Sequence, residues 1–267
     1  MLTFPDIDPI IFSIGPLHLR WYGLMYVIGF LASYLLVKKQ IRDFQYEELA
    51  THFENFNMVL ILAVVFGGRL GYVVFYNLPY YLDHPWEIPA TWSGGMSFHG
   101  AAVAIICSGM FFCYKHKINF WKTADLYTAT LPVGIGLGRL GNFINGELYG
   151  RTTEQPWGMV FPGAGPLPRH PSQLYEALLE GLLLFVILWS LRRKPWQAGG
   201  KWPHGSIAAL FLIGYGVLRN SIEFFREPDP QLGFVIHSFT MGQLLSSAMI
   251  AVGVAFWVIA AKQRRTQ

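Results

Sequence analysis

Continuous apolar runs as long as a bilayer is thick set the first constraint on this chain. A helix needs roughly 17–25 predominantly apolar residues to cross the hydrocarbon. Seven stretches meet that length, at about 21–37, 57–76, 97–114, 124–143, 173–191, 206–224 and 240–261. They lack the period-two alternation of a membrane barrel, so helices are predicted rather than strands. The fourth run differs from the others in its glycines, Pro132 and Arg139. Composition decides between a buried soluble core and a bilayer. Charged residues make up 13% of the chain and apolar ones 53%, against about 25% charged in soluble domains. That is too little charge to cover a water-facing surface. The expected fold is an all-α polytopic bundle of about seven transmembrane helices. It forms a single integral membrane domain over 1–267, with an irregular extracytoplasmic cap at about 146–170.

Basic residues orient the bundle. Lys38, Lys39, Arg42, Lys115, Lys117, Lys122, Arg192, Arg193, Lys194, Lys201, Lys262, Arg264 and Arg265 fall on one side. The opposite loops hold Arg20, Arg151, Arg169 and Arg226. The C-terminus is therefore expected in the cytoplasm and the N-terminus outside. The pI near 9.0 follows from this bias, and no nucleic-acid partner is needed to explain it.

The first twenty residues carry Asp6 and Asp8 without a basic start, so they are read as an outer interfacial segment and not as a cleaved leader. Trp21 and Tyr22 then lie at headgroup depth. Cys107 and Cys113 fall on one helix, too far apart in sequence to bridge within it, and read as packing residues. Ser97 lies in no nucleophile motif. The loops at 77–95 and 146–170, rich in proline, glycine and aromatic residues, gather on the outer side.

Ionisable groups inside spans are costly enough to be functional candidates by default. Arg69, His99, Asp125, Arg139, Glu176, Glu180, Arg219 and Glu223 qualify, with Glu147 at the rim. Asp125, one turn from Lys122, reads as a helix-end charge at the inner interface. Arg69, among Gly67, Gly68 and Gly71, reads either as a packing ion pair with a glutamate or as a site residue. Tyr215, Arg219 and Glu223 recur at four-residue spacing, so they share one helix face, and Arg226 extends that stripe toward the surface. By itself this could be a structural salt bridge. A second buried arginine, Arg139 beside Asn142 in "GLGRLGNFINGELYGR" (136–151), changes the reading. Two planar guanidinium forks and an amide near the outer headgroup plane suit a phosphate, and in a membrane that phosphate belongs to a lipid. Gly136-x-Gly138-x-x-Gly141 is formally a dinucleotide fingerprint, but no strand precedes it. His99 is a candidate proton acceptor or a structural helix-end histidine. No metal-ligand spacing is present, and no cofactor is expected.

Several long strings, in order, resemble the bacterial phosphatidylglycerol–prolipoprotein diacylglyceryl transferase family. They are "FSIGPLHLRWYGLMYVIGF" (12–30), "GGRLGYVVFYN" (67–77), "GGMSFHGA" (94–101), "GRLGNFINGELYGR" (138–151), "LPRHPSQLYEALLEG" (167–181) and "FLIGYGVLRNSIEFFREPD" (211–229). The resemblance implies transfer of the sn-1,2-diacylglyceryl group of phosphatidylglycerol to a lipobox cysteine in a prolipoprotein signal peptide, giving a thioether and glycerol phosphate. It carries functional positions onto Tyr22, His99, Arg139, Asn142, Glu147, Gly150, Arg219 and Glu223. Arg139, Arg219, Asn142, Gly150, Tyr215 and Arg69 form the expected lipid-binding set. His99, Tyr22, Glu147 and Glu223, with the two arginines, form the expected catalytic set. The alternative is a phospholipid-binding transporter or flippase without bond chemistry, which favours repeated halves with broken helices.

Overall fold

A computed structural model describes residues 2–15, 17–200, 202–227, 234–236 and 239–265. Lys201, Pro228 and Asp229 from the sequence reading lie outside the described residues, as do the side chains of Arg264 and Arg265. The main helices are α1 (Trp21–Phe44), α2 (Phe53–Tyr76), α3 (Phe98–Lys115), α4 (Phe120–Thr128) and α5 (Leu131–Ile144). A continuous run of Ser172–Glu176, Ala177–Leu183 and Leu184–Leu191 forms α6, followed by α7 (Ser206–Ile222) and α8 (Met241–Arg265). Five of these are long and apolar enough to cross a membrane, and α7 is a shorter apolar helix. The outward surfaces fit a lipid solvent. Val27, Phe30, Leu31, Leu35, Phe66 and Leu70 are exposed, whereas Gln40, Thr130, Glu176, Glu180, Gln243 and Ser246 are buried.

The fourth predicted span is not one helix. α4 stops at Thr128, and α5 restarts with Pro132 at its first turn. Proline has no N–H to donate, which suits a helix start and not a helix interior. The break is tied down by Thr130, whose hydroxyl lies 2.7 Å from the Tyr127 carbonyl and 2.6 Å from the Ser33 hydroxyl.

The chain divides into two compact units, Ile41–Thr123 and Met1–Gln40 with Ala124–Gln267. In the smaller unit α2 packs closely on α3, because Gly67 and Gly71 face Gly100 and Ala104 with no room for larger side chains. Ser97 caps α3, its hydroxyl accepting the Gly100 N–H at 3.2 Å.

The larger unit holds most of α1 and α4 and all of α5 to α8. The interfacial segment is an antiparallel hairpin, β2 (Ile10–Ile14) with β3 (Leu17–Arg20), running directly into α1. β1 (Leu2–Thr3) pairs in parallel with β4 (Met159–Val160), so the N-terminus stitches the 146–170 cap. A core of Ala129, Leu184, Leu188 and Ile207 joins α6 to α7. α5 meets α6 at Gly136 and Gly181, where an ideal Cβ on Gly181 would come within 2.6 Å of the Gly136 backbone. The middle of α6, Ala177–Leu183, is π-helical; such wide turns inside α-helices often accompany functional sites.

Asp125 is not a solvated helix-end charge. It is 2% exposed, and its carboxylate accepts N–H bonds from Gly205 (2.7 Å), Ile207 (2.9 Å) and Ala208 (3.1 Å). It caps α7 from 80 residues away, satisfying amides that a helix start leaves unpaired.

Candidate functional site

The site grows from three helices of the larger unit. α5 contributes Arg139, α7 contributes Tyr215 and Arg219 with Glu223 at its end, and α6 contributes Glu176 and Glu180. Glu176 sits at the centre. Its Oε1 accepts from Arg219 Nη1 at 2.5 Å and Arg226 Nη1 at 3.2 Å, and its Oε2 lies 3.0 Å from Arg139 Nε. Arg219 also pairs with Glu223 one turn on, at 2.8 Å, as the four-residue stripe predicts. Glu223 is fixed in turn by the Thr240 hydroxyl at 2.8 Å, and Gly242 leaves no space for a side chain beside its carboxylate.

Arg226 does not reach outward to the surface. It is 8% exposed and turned inward onto Glu176, where it adds a third guanidinium beside the buried carboxylates. Glu176 and Glu180 are absent from the site set expected from the sequence, although both stand out there as ionisable groups in an apolar run. The side chains of Glu176 and Glu180 are fully buried, whereas Arg139 and Arg219 keep 18% and 12% exposure. An entering anion therefore meets the arginines first.

A second group lies one turn along α5. Asn142 Nδ2 donates to Glu147 Oε1 at 2.9 Å, and Asn145 Nδ2 donates to the same oxygen at 3.0 Å. Tyr22 also interacts with the Asn142 amide and pairs with the Tyr26 hydroxyl at 3.1 Å. Glu147 thus orients amides; among the described contacts it does not touch an arginine. Its position is set by the way α5 ends. Gly146 takes a left-handed φ of +66°, the Gly146 N–H bonds Phe143 O, and the Glu147 N–H bonds Asn142 O. That double closure is the usual glycine stop of a helix. Gln173 Nε2 then donates to the Glu147 carbonyl at 2.7 Å from α6.

Most glycines of the 136–151 stretch serve packing, not ligand approach. Gly136 meets Gly181, and Gly141 lies where a Cβ would be 2.8 Å from the Tyr22 ring. Gly150 bridges Arg226 backbone to backbone and would clash with the Phe225 carbonyl if it carried a side chain. Its N–H bonds the His170 carbonyl at 2.8 Å. Gly150 therefore shapes the cap. Beside it, partial burial holds the His170 imidazole below its usual pKa, so the ring stays neutral near pH 7 next to the Tyr175 hydroxyl at 3.1 Å.

Two expected site residues belong to the smaller unit. Arg69 is buried there and, among the described residues, pairs with no glutamate carboxylate. Its guanidinium donates to the carbonyls of Ile88 (2.7 Å), Glu87 (2.8 Å), Gly94 (2.5 Å) and Gly95 (3.3 Å). Its N–H groups are thus largely occupied by backbone, and it pins the 77–97 loop. His99 stands in the first turn of α3, edge-on to Phe98 with ring centroids 5.7 Å apart.

The family model described as prolipoprotein diacylglyceryl transferase matches residues 9–259. Proteins named phosphatidylglycerol–prolipoprotein diacylglyceryl transferase are similar over nearly the whole chain. The one from Desulfotalea psychrophila is 64% identical over 99% of this chain and 98% of its own. Those from Geobacter sulfurreducens and Legionella pneumophila are 47% and 45% identical, over 98% and 96% of this chain and 99% and 98% of theirs.

Proposed function

The chain belongs to the prolipoprotein diacylglyceryl transferase family, and from that premise we propose how its buried arginine–glutamate centre performs the reaction. This multi-pass membrane protein is a transferase that moves the diacylglyceryl group of phosphatidylglycerol onto prolipoproteins. The acceptor is the lipobox cysteine thiol of the signal peptide. Its sulfur attacks the glyceryl carbon that bears the phosphate; an S–C bond forms, the C–O bond breaks, and the electron pair leaves on the phosphate of glycerol phosphate. The thiol proton passes to a base, which is the role assigned to His99.

Arg139 and Arg219 bind the phosphate and stabilise the charge that grows on it as the bond breaks. Preorganised donors aimed at developing charge usually supply the greater part of the rate enhancement in such sites. Glu176 and Glu223 hold the two guanidinium planes in place from behind. Tyr22, Asn142 and Glu147 present hydroxyl, amide and carboxylate groups suited to a glycerol headgroup. The site opens on the extracytoplasmic face of the bacterial inner membrane, with the C-terminus inside.

The observation that carries this reading is the convergence of Arg139, Arg219 and Arg226 on Glu176 within apolar helices. Arg139 and Arg219, held by that carboxylate, are the members of the centre that keep partial exposure and can meet an anion. The test is direct: purified protein, phosphatidylglycerol and a lipobox peptide, followed by mass spectrometry. The expected product is the diacylglyceryl peptide. Recovery of unmodified peptide alone, from protein that binds the lipid, would refute the proposed chemistry.

A further inference from the structure

Glu180 has no part in the steps above, yet it is fully buried between the two arginines. Neither of its carboxylate oxygens has a hydrogen-bond partner among the described residues. The nearest guanidinium nitrogens are Arg139 Nη2 at 3.7 Å and Arg219 Nη1 at 3.9 Å, beyond hydrogen-bond reach. The charged groups facing it are Glu176 on its own helix, Arg139 on α5, Arg219 on α7 and Arg226 just beyond α7, with Tyr215 beside them.

Charge balance makes this arrangement informative. Among the described residues the centre pairs Arg139, Arg219 and Arg226 with Glu176, Glu180 and Glu223. With all six ionised the sum is zero, and a phosphodiester adds one negative charge. Excess charge in a low-dielectric interior is expensive, so one carboxylate must become neutral for the anion to be held. Glu176 is tied to three guanidinium groups, and Glu223 to Arg219 and Thr240. Glu180 gives up no hydrogen bond when it gains a proton.

We propose that Glu180 is a proton-linked counterion of the lipid site, taking up one proton from water as the phosphate of phosphatidylglycerol binds. The inference rests on the reading of Arg139 and Arg219 as phosphate ligands. The step balances: a carboxylate and a proton become a neutral carboxyl group while a phosphodiester monoanion enters, and the centre stays neutral. The edges of Arg139 and Arg219 nearest Glu180 pass to the phosphate. Glu180 is a positioning residue, acting through the arginines and not on the reacting carbon.

Calorimetry on the purified full chain in detergent, with dioctanoyl phosphatidylglycerol as the probe, tests this. Runs in buffers of different ionisation heat count the protons exchanged. Wild type should take up close to one proton per lipid at about pH 8, and its affinity should fall up to about tenfold per pH unit in the alkaline range. Glu180→Gln should bind the lipid without proton uptake and with affinity flat in pH. Glu180→Asp, which keeps the carboxyl, should retain the linkage. Wild-type binding without proton uptake, or unchanged uptake by a folded Glu180→Gln, overturns the inference. Should Glu180→Gln fail to fold, the wild-type proton count and the Glu180→Asp pH profile still decide it. Failure of the underlying reading looks different: Arg139→Gln and Arg219→Gln would then bind the lipid as tightly as wild type.

Discussion

Replacing Asp125 tests whether the arginine helix depends on a cap supplied from 80 residues away in the chain. The carboxylate receives three backbone amides at the start of α7, and Asp125 itself is closed off from water. Asp125→Asn keeps an acceptor for Ile207 and Ala208 but sets an NH₂ group against the Gly205 N–H. One charge-assisted bond is lost and a donor is left unpaired, at a cost of about 2–3 kcal/mol. Asp125→Ala strands all three amides. Each unpaired buried donor costs about 1–3 kcal/mol, and relaxation of the 203–205 turn brings the total to about 3–5 kcal/mol. For a chain of this size each kcal/mol moves the melting midpoint by about 2–4 °C. Midpoints in detergent should therefore fall by about 4–12 °C for Asn and by about 6–20 °C for Ala, compared at one scan rate since the midpoint of an irreversible transition depends on it. Below the transition, turnover should stay within about threefold of wild type, since Asp125 binds the opposite end of α7 from Glu223. An Asp125→Ala protein melting within about 1 °C of wild type would show that these amides do not depend on the carboxylate.

Further outcomes are expected at the site. Arg139→Lys and Arg219→Lys keep the charge but lose the planar fork, and each should lower turnover by about 10²-fold; near-normal rates would reduce that arginine to a point charge. His99→Gln should impair transfer, with partial recovery as the pH approaches the thiol pKa of about 8.5; a defect unchanged from about pH 6.5 to 9 removes His99 as the base. Phosphatidylglycerol should be consumed and phosphatidylethanolamine should not, and equal turnover of the two would sink the assigned headgroup contacts. Cysteines at Gln155 and Ala198 should react with an impermeant thiol reagent from outside and from inside respectively, and the reverse pattern overturns the orientation.

Hydropathy exposed the helices, because bilayer thickness acts on each segment separately. The Tyr215–Arg219–Glu223 stripe was legible for a similar reason: four-residue spacing is a local property. Glu176 was visible as an ionisable group in an apolar run, but its place at the centre depends on α5 and α6 meeting at Gly136 and Gly181. No local pattern encodes that contact. Asp125 was misread because nearby Lys122 suggested a polar interface, while its three partners lie 80 or more residues away. The carbonyl partners of Arg69 lie 18 to 26 residues away, so no local spacing encodes them. Pro132 did carry the signal that divides the fourth span, and its position in a first turn explains the break.

The π-helical stretch of α6 means that its two ends run on different angular frames. A π-turn is equivalent to one residue spliced into an α-helix, which rotates everything beyond it by about 100°. Glu176 precedes the stretch, Glu180 and Gly181 lie within it, and Leu184 and Leu188 follow it. Excising one residue between Ala177 and Leu183 would restore regular winding and remain compatible with a membrane-spanning helix. It would also swing the acidic face and the core face out of phase. α6 is therefore tolerant in length but intolerant in phase, and insertions or deletions in this seven-residue window should be far more damaging to the site than to membrane insertion.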